Sequence, residues 1–219
     1  MTASPLFRID FNLFLITDRT KSGGRALADI IGEASDAGVR AVQFREKDLS
    51  LREQMTLAIE IQNIAKKSGM KLFINDRVDL CLAIDADGAH LPSAGLPIAV
   101  ARKLLGVKKG VGVSCHSLED VLRAESEGAN YALLGPIFDT PSKRQYGKPL
   151  GMDCLKEVLQ ATAIPLFAVG GIKKANIAEV MNAGASGVAM ISEIMEAENV
   201  REKCRGILNQ VNRLAMNKA

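Results

Sequence analysis

Short apolar runs closed by turn residues recur from end to end of the chain: Leu13 to Thr17, Ala41 to Arg45, Leu72 to Asn75, Gly88 to Leu91, Gly110 to Ser114, Tyr131 to Gly135, Leu166 to Gly170 and Gly187 to Ser192. Runs of this length predict strands. Most are followed by a stretch in which apolar residues return with a period near 3.6, over Arg25 to Asp36, Leu51 to Lys67, Ile98 to Leu105, Leu118 to Glu127, Met152 to Ala161, Ala175 to Ala183 and Val200 to Leu214. A shorter helix is expected over Arg77 to Ile84. Strands alternating with helices predict a parallel sheet. Eight such units predict a (β/α)8 TIM barrel, with a doubly wound open sheet as the alternative. The phrases EASDAGVRAVQF, AESEGANYALLG and VMNAGASGVAMI each read helix end, small turn, next strand, a weak internal repeat that suits a barrel. With no Pro/Gly/Ser-rich linker, one domain over 1–219 is expected, its core at about 13–194 and its last helix at about 200–214.

Composition narrows the function. At 47% hydrophobic and 24% charged residues the 219-residue chain is neither disordered nor fibrous. The 28 Lys plus Arg nearly balance the 25 Asp plus Glu, and a net charge of +3 is too small for a protein that must neutralise many nucleic-acid phosphates, though it leaves room for a small anionic ligand. No apolar run approaches the roughly 18 residues of a membrane span, and MTASPLFRIDFN lacks a secretory signal's basic start and apolar core, so a cytoplasmic protein with no membrane partner is expected. Cys81, Cys115, Cys154 and Cys204 are widely spaced, which reads as reduced, mostly buried thiols rather than a zinc site.

In a barrel the chemistry sits where strands end and βα loops begin, and here those positions are strongly polar. Strand two runs into Gln43-Phe44-Arg45-Glu46-Lys47, strand three into Asn75-Asp76-Arg77, strand four into His90 and Pro92, strand five into Ser114-Cys115-His116. Period-two alternation puts Gln43, Arg45 and Lys47 on one side, an amide and two cations suited to a polyphosphate, unless the charges only form surface ion pairs. Gly170-Gly171 and the segment from Gly187 to Ser192 lie where barrels often build a phosphate site from backbone N–H groups; the plainer alternative is a tight turn. The long loop Asp139 to Pro149 carries Thr140, Ser142 and Lys143 and reads as a lid over an anion or as a solvated basic loop. Asp76 offers Mg2+ a hard oxygen or else caps the helix that follows. His116 suits a general acid or base, with a structural histidine as the competing reading. His90, inside a strand, reads as structural.

Seven segments in order, QFREK (Gln43 to Lys47), INDRVDL (Ile74 to Leu80), DGAHL (Asp87 to Leu91), GVSCHS (Gly112 to Ser117), GPIFDTPSK (Gly135 to Lys143), AVGGI (Ala168 to Ile172) and GVAMIS (Gly187 to Ser192), resemble the thiamine phosphate synthase family from about Leu13 to Ile194. The resemblance implies a (β/α)8 enzyme in which hydroxymethylpyrimidine pyrophosphate ionises with Mg2+ help and a thiazole phosphate nitrogen captures the cation. Carried over by position, Gln43, Arg45 and Lys47, with Asn75 and Lys143, would hold pyrophosphate, and Asp76 would bind Mg2+. Ser114 would touch the pyrimidine or pyrophosphate. Thr140 and Ser142 would meet the thiazole phosphate together with the backbone of Gly171, Ile191 and Ser192.

The chain departs from the family after strand four, reading His90-Leu91-Pro92-Ser93-Ala94-Gly95-Leu96-Pro97 where the synthases usually carry an acidic pair with a second Mg2+ ligand. Gly95 stands in that ligand's place. This segment, with CHSLED after strand five, is similar to the related thiazole tautomerase branch, in which His116 would be the acid/base and no C–N bond would form. A non-catalytic paralogue that binds thiamine-pathway phosphates is a third reading. The retained QFREK and NDR favour the synthase. Phosphorylated small molecules are the expected partners, and a homo-oligomer is possible through the helix exteriors.

Overall fold

The computed structural model describes residues 7–140 and 147–216. Its strands are β1 (Leu13–Ile16), β2 (Ala41–Phe44), β3 (Lys71–Asn75), β4 (Gly88–Leu91), β5 (Gly110–Cys115), β6 (Tyr131–Leu134), β7 (Leu166–Val169) and β8 (Gly187–Met190). Its α-helices are α1 (Leu27–Asp36), α2 (Leu51–Ser68), α3 (Val78–Ala83), α4 (Ile98–Leu105), α5 (Leu118–Ser126), α6 (Gly151–Ala161), α7 (Ile177–Ala183), α8 (Ser192–Met195) and α9 (Val200–Met216). All strand pairs are parallel and run in sequence order, and β8 returns to β1 with Leu13 beside Val188 and Leu15 beside Met190. That closing pair excludes the open-sheet alternative.

The helices start and stop where local chemistry directs. Ser50 caps α2 in a reciprocal box with Glu53, and Gly69 ends that helix in the left-handed region at φ 71°. Ser117 caps α5 by accepting from the Asp120 N–H. Every strand buries both faces, so alternate residues sort into two cores. One face packs Leu13, Leu15, Val42, Phe44, Leu72, Ile74, Ala89 and Leu91 against the helices. The other sends Phe14, Ile16, Ala41, Phe73, Tyr131, Leu133, Phe167 and Ala189 into the barrel's interior. Each large side chain so buried stabilises the fold by about 1.5–3 kcal/mol before entropy is counted.

The interior is a stack of aromatic rings. Phe14 meets Phe73 edge-on at 5.2 Å between centroids, and Tyr131 meets Phe73 at 5.4 Å and Phe167 at 6.0 Å. Below them the segment preceding β1 inserts Phe11, with Phe7 edge-on to Phe73 and under the Lys71 ammonium. The amino-terminal mouth is thus plugged, and the polar residues gather at the other one.

The element ends refine the expectations by one or two residues, with two real differences. β2 stops at Phe44, so the alternation that set Lys47 beside Gln43 and Arg45 ends before it; Lys47 lies in the following turn. The eighth strand stops at Met190, and Ser192 opens the short helix α8 instead of ending the strand.

Candidate active site at the carboxyl mouth of the barrel

The topmost interior positions of adjacent strands are Gln43 on β2, Asn75 on β3, His90 on β4 and Ser114 on β5, held in register by the pairs Gln43 with Phe73, Asn75 with His90 and His90 with Gly112. They form a polar arc resting on the aromatic stack. Gln43, 2% exposed, donates from Nε2 to Asn75 Oδ1 at 3.0 Å. Its Oε1 is buried with no partner among the described residues. An unmet buried acceptor costs about 1–3 kcal/mol, and here it points to a donor supplied from outside.

His90 is 1% exposed, its ring stacked on Tyr131. Nδ1 lies 3.2 Å from the Tyr131 hydroxyl and Nε2 2.9 Å from Ser114 Oγ. Burial, with the nearby Arg45 guanidinium adding to it, pushes the imidazole down to about 3, so the ring is neutral at physiological pH. His90, read from the sequence as structural, also touches a candidate site residue. Alternation would have found it, since 88 and 90 share the inward face with 112 and 114.

Arg45 follows β2, half-buried, its N–H donating to Thr17 Oγ1 at 2.9 Å. Glu46 tucks beneath this turn, 4% exposed, where Oε2 accepts the Arg19 N–H at 3.0 Å and Oε1 has no partner among the described residues. Burial raises its carboxyl above the ordinary range, against hydrogen bonds from Thr17 and Arg19 that lower it. It braces the segment that presents Arg45.

Asp76 stands in the left-handed region at φ 65°, its N–H donating to the His90 carbonyl at 2.8 Å. A non-glycine residue there is held by its surroundings, as functional turns often are. It does not cap α3: the cap position is Arg77, which makes no capping side-chain bond. The Asp76 side chain is exposed and makes no hydrogen bond to the described residues, so the capping alternative falls away. Among the described residues no group of three or more His, Cys, Asp or Glu is placed to hold a metal ion. Gly95 sits in a turn closed by its N–H to the Pro92 carbonyl at 2.9 Å, and a Cβ at 95 would fall 2.8 Å from Pro92 Cδ.

His116 is exposed and donates from Nδ1 to the Gly135 carbonyl at 2.6 Å, which leaves Nε2 available. The loops after β6 and β7 interlock: Ile137 N–H donates to the Val169 carbonyl at 2.9 Å and Phe138 N–H to that of Gly170 at 3.0 Å. Gly170 and Gly171 both have positive φ, and a Cβ on Gly171 would lie 2.7 Å from the Asp139 carbonyl oxygen. The glycines are thus required by a backbone crossing as well as a turn. Thr140 is half-buried at the edge of this crossing. Ser142 and Lys143 lie outside the described residues.

Four unpaired cysteines are present, Cys81, Cys115 and Cys204 being buried with thiols pushed up to about 12 by desolvation. These three are packing groups rather than nucleophiles. No helix among the described residues is long and apolar enough to cross a membrane.

The chain resembles proteins whose activity is named. A putative thiamine-phosphate synthase of Geobacter sulfurreducens is 47% identical over 201 residues, covering 92% of this chain and 94% of that protein. The thiamine-phosphate synthase of Chloroflexus aurantiacus is 41% identical over 197 residues, 90% of this chain and 91% of that one. Among solved structures, a thiamine phosphate pyrophosphorylase from Pyrococcus furiosus superposes with a TM-score of 0.85 at 33% identity, covering 93% of this chain and 96% of that one. A 3-hexulose-6-phosphate synthase, TM-score 0.72 at 16% identity, shares the barrel alone. The family profile described as thiamine monophosphate synthase matches residues 13–194, from the first barrel strand through α8 with the whole polar arc inside it, and the chain belongs to that family.

Proposed function

We propose that this chain is a thiamine-phosphate synthase that joins hydroxymethylpyrimidine pyrophosphate to thiazole phosphate. The bond between the pyrimidine methylene carbon and the pyrophosphate oxygen breaks with its electrons leaving on pyrophosphate, and the thiazole nitrogen's lone pair forms the new C–N bond. The observation that carries this reading is the polar arc Gln43, Asn75, His90 and Ser114 with Arg45 above it, at the mouth where barrel enzymes work.

Arg45, Lys47 and Lys143 supply positive charge where the leaving group becomes more anionic, which is where a fixed cation accelerates the reaction. Gln43 takes a different part from the one its position in the family implies. Its Oε1, without a partner among the described residues, is an acceptor, and ionised pyrophosphate donates nothing, so Gln43 fits an N–H on the pyrimidine while Asn75, oriented by it, turns toward the anion. Ser114 donates from its hydroxyl to the substrate at the arc's far end. Thr140 and Ser142, with the backbone of Gly171, Ile191 and Ser192, receive the thiazole phosphate.

Mg2+ fits Asp76, an exposed carboxylate without a hydrogen-bond partner among the described residues, because this ion commonly takes one or two carboxylates and fills the rest of its shell with phosphate oxygens and water. When bound it would neutralise charge on the departing pyrophosphate. The turn at Gly95 supplies no second carboxylate, so metal affinity in this chain depends strongly on the substrate's own oxygens. With phosphorylated small molecules as its substrates, the enzyme is expected to work in the cytoplasm.

The test is release of pyrophosphate from the two substrates under a Mg2+ titration, with Asp76→Ala beside the wild type. Release that needs both substrates and Mg2+ supports the reading. No release at saturating Mg2+ overturns it in favour of the tautomerase.

A further inference from the structure

Tyr131, His90 and Ser114 form a linear hydrogen-bonded chain from the middle of the barrel to its mouth. Its lower end is closed. The Tyr131 side chain is wholly buried among Phe14, Phe73 and Phe167, and its ring lies flat against Gly112, where a Cβ would fall 2.0 Å from the ring carbon that bears the hydroxyl. The one hydrogen-bond partner the hydroxyl has among the described residues is His90 Nδ1.

A buried hydroxyl proton left without an acceptor is costly, so the tyrosine donates and Nδ1 accepts. A neutral imidazole carries one proton, which then resides on Nε2 and is donated to Ser114 Oγ. With a lone pair occupied by that bond, the serine's own proton cannot turn back to the ring and projects into the mouth. We infer that Tyr131, acting through the tautomer of His90, commits the Ser114 hydroxyl to donate a hydrogen bond into the site. The receiver is an electron-rich oxygen or nitrogen of the pyrimidine pyrophosphate. An undirected serine would divide its time between donating to the histidine and donating to substrate, whereas here the choice is made before substrate arrives. Tyr131 and His90 are positioning residues. The tautomer assignment stands by itself, and only the identity of the receiver rests on the synthase reading.

The decisive measurement needs no variant: 15N NMR of the imidazole nitrogens in the histidine-labelled whole chain at neutral pH. His90 should give the spectrum of a neutral ring protonated on Nε2, and His90→Asn identifies its resonances. A ring protonated on Nδ1, or on both nitrogens, overturns the inference. In Tyr131→Phe, which keeps the buried ring, the tautomers should become mixed, and pyrophosphate release should fall by about threefold to tenfold, the scale of one misdirected hydrogen bond. In a Ser114→Ala background the same tyrosine substitution should have no further effect on the rate. An equal loss in both backgrounds means that Tyr131 acts through packing alone and overturns the relay. Ser114→Ala with undiminished kcat/KM removes Ser114 from the substrate site and overturns the receiver, even with the tautomer as stated. Failure of pyrophosphate release in the wild type strikes the synthase reading and leaves the spectrum to judge the relay.

Discussion

Gln43 donates from its amide nitrogen to Asn75 Oδ1 at 3.0 Å, and its own carbonyl oxygen is buried without a partner among the described residues. The pair joins neighbouring strands, so the orientation of one amide fixes that of the other and presents a lone acceptor to the mouth. Gln43→Met, which keeps the length of the side chain, removes both the acceptor and its desolvation cost. The melting temperature should change by no more than a few degrees, because the lost bond to Asn75 and the relieved acceptor offset each other. The KM for the pyrimidine substrate should rise roughly tenfold or more. An unchanged KM removes Gln43 from substrate contact.

Asp76 carries the strain of φ 65°. Asp76→Gly relieves it at some cost in chain entropy, so stability should hold or increase by up to about 1 kcal/mol. Activity should fall sharply, and the Mg2+ concentration for half-maximal rate should rise. Loss of stability together with activity would mark Asp76 as structural. The two readouts are expected to move in opposite directions.

Restoring the acidic residue at 95 should fail on its own. Cβ of Gly95→Asp meets Pro92 Cδ at 2.8 Å, so the turn must open before a carboxylate could face a Mg2+ ion held by Asp76. Mg2+ dependence should be unchanged in Gly95→Asp and tighten only when Pro92 is replaced as well. Tightening in the single variant would show that the turn yields easily.

Glu46 provides a pH test. Its native carboxyl titrates above the ordinary 4.5, so between that value and its native one the folded state binds more protons than the unfolded chain. The contribution is present in full below 4.5 and is lost as pH rises through the native value. Glu46→Gln cannot ionise, so its stability relative to wild type should improve as pH rises through that window. A difference that is flat with pH would place the carboxyl in the ordinary range.

His116→Ala separates two branches of the family's chemistry. Its Nδ1 holds the Gly135 carbonyl, so pyrophosphate release should fall by only a few-fold. Solvent deuterium should not exchange into the thiazole with either protein. Exchange in wild type that is lost in the variant would establish the tautomerase.

Most of the architecture is legible in the sequence because a strand buried on both faces must be a short unbroken apolar run, and eight of these between amphipathic stretches leave little choice. Candidate site residues at strand ends are legible for the same reason: Gln43, Asn75 and Ser114 interrupt apolar runs that packing would otherwise continue. What is not legible depends on where a strand stops. Lys47 continues the alternation on paper, yet the strand has ended at Phe44 and Lys47 lies in the turn, where alternation no longer sets its side. His90 looks like one more core residue until its register with Gly112 places it under Ser114. The plug of Phe7 and Phe11 has no periodicity to announce it, because those rings pack as an irregular segment. Glu46 reads as a surface charge between two cations, and only the fold shows it turned inward.

The crossing of the β6 and β7 loops bears on how such an enzyme changes over time. Where the chain leaves for the basic stretch, Ile137 is bonded to the last residue of β7 and Phe138 to Gly170 just beyond it. Where it comes back, the Leu150 N–H donates to the Pro136 carbonyl at 2.8 Å and the Gly151 N–H to that of Ile137 at 3.0 Å. Departure and return share one anchored doorway, so residues can be added, deleted or exchanged between Asp139 and Lys148 without disturbing the strands. That cassette can diversify while the barrel stays the same, and a chimera that swaps it alone would carry the donor's loop on this chain's scaffold.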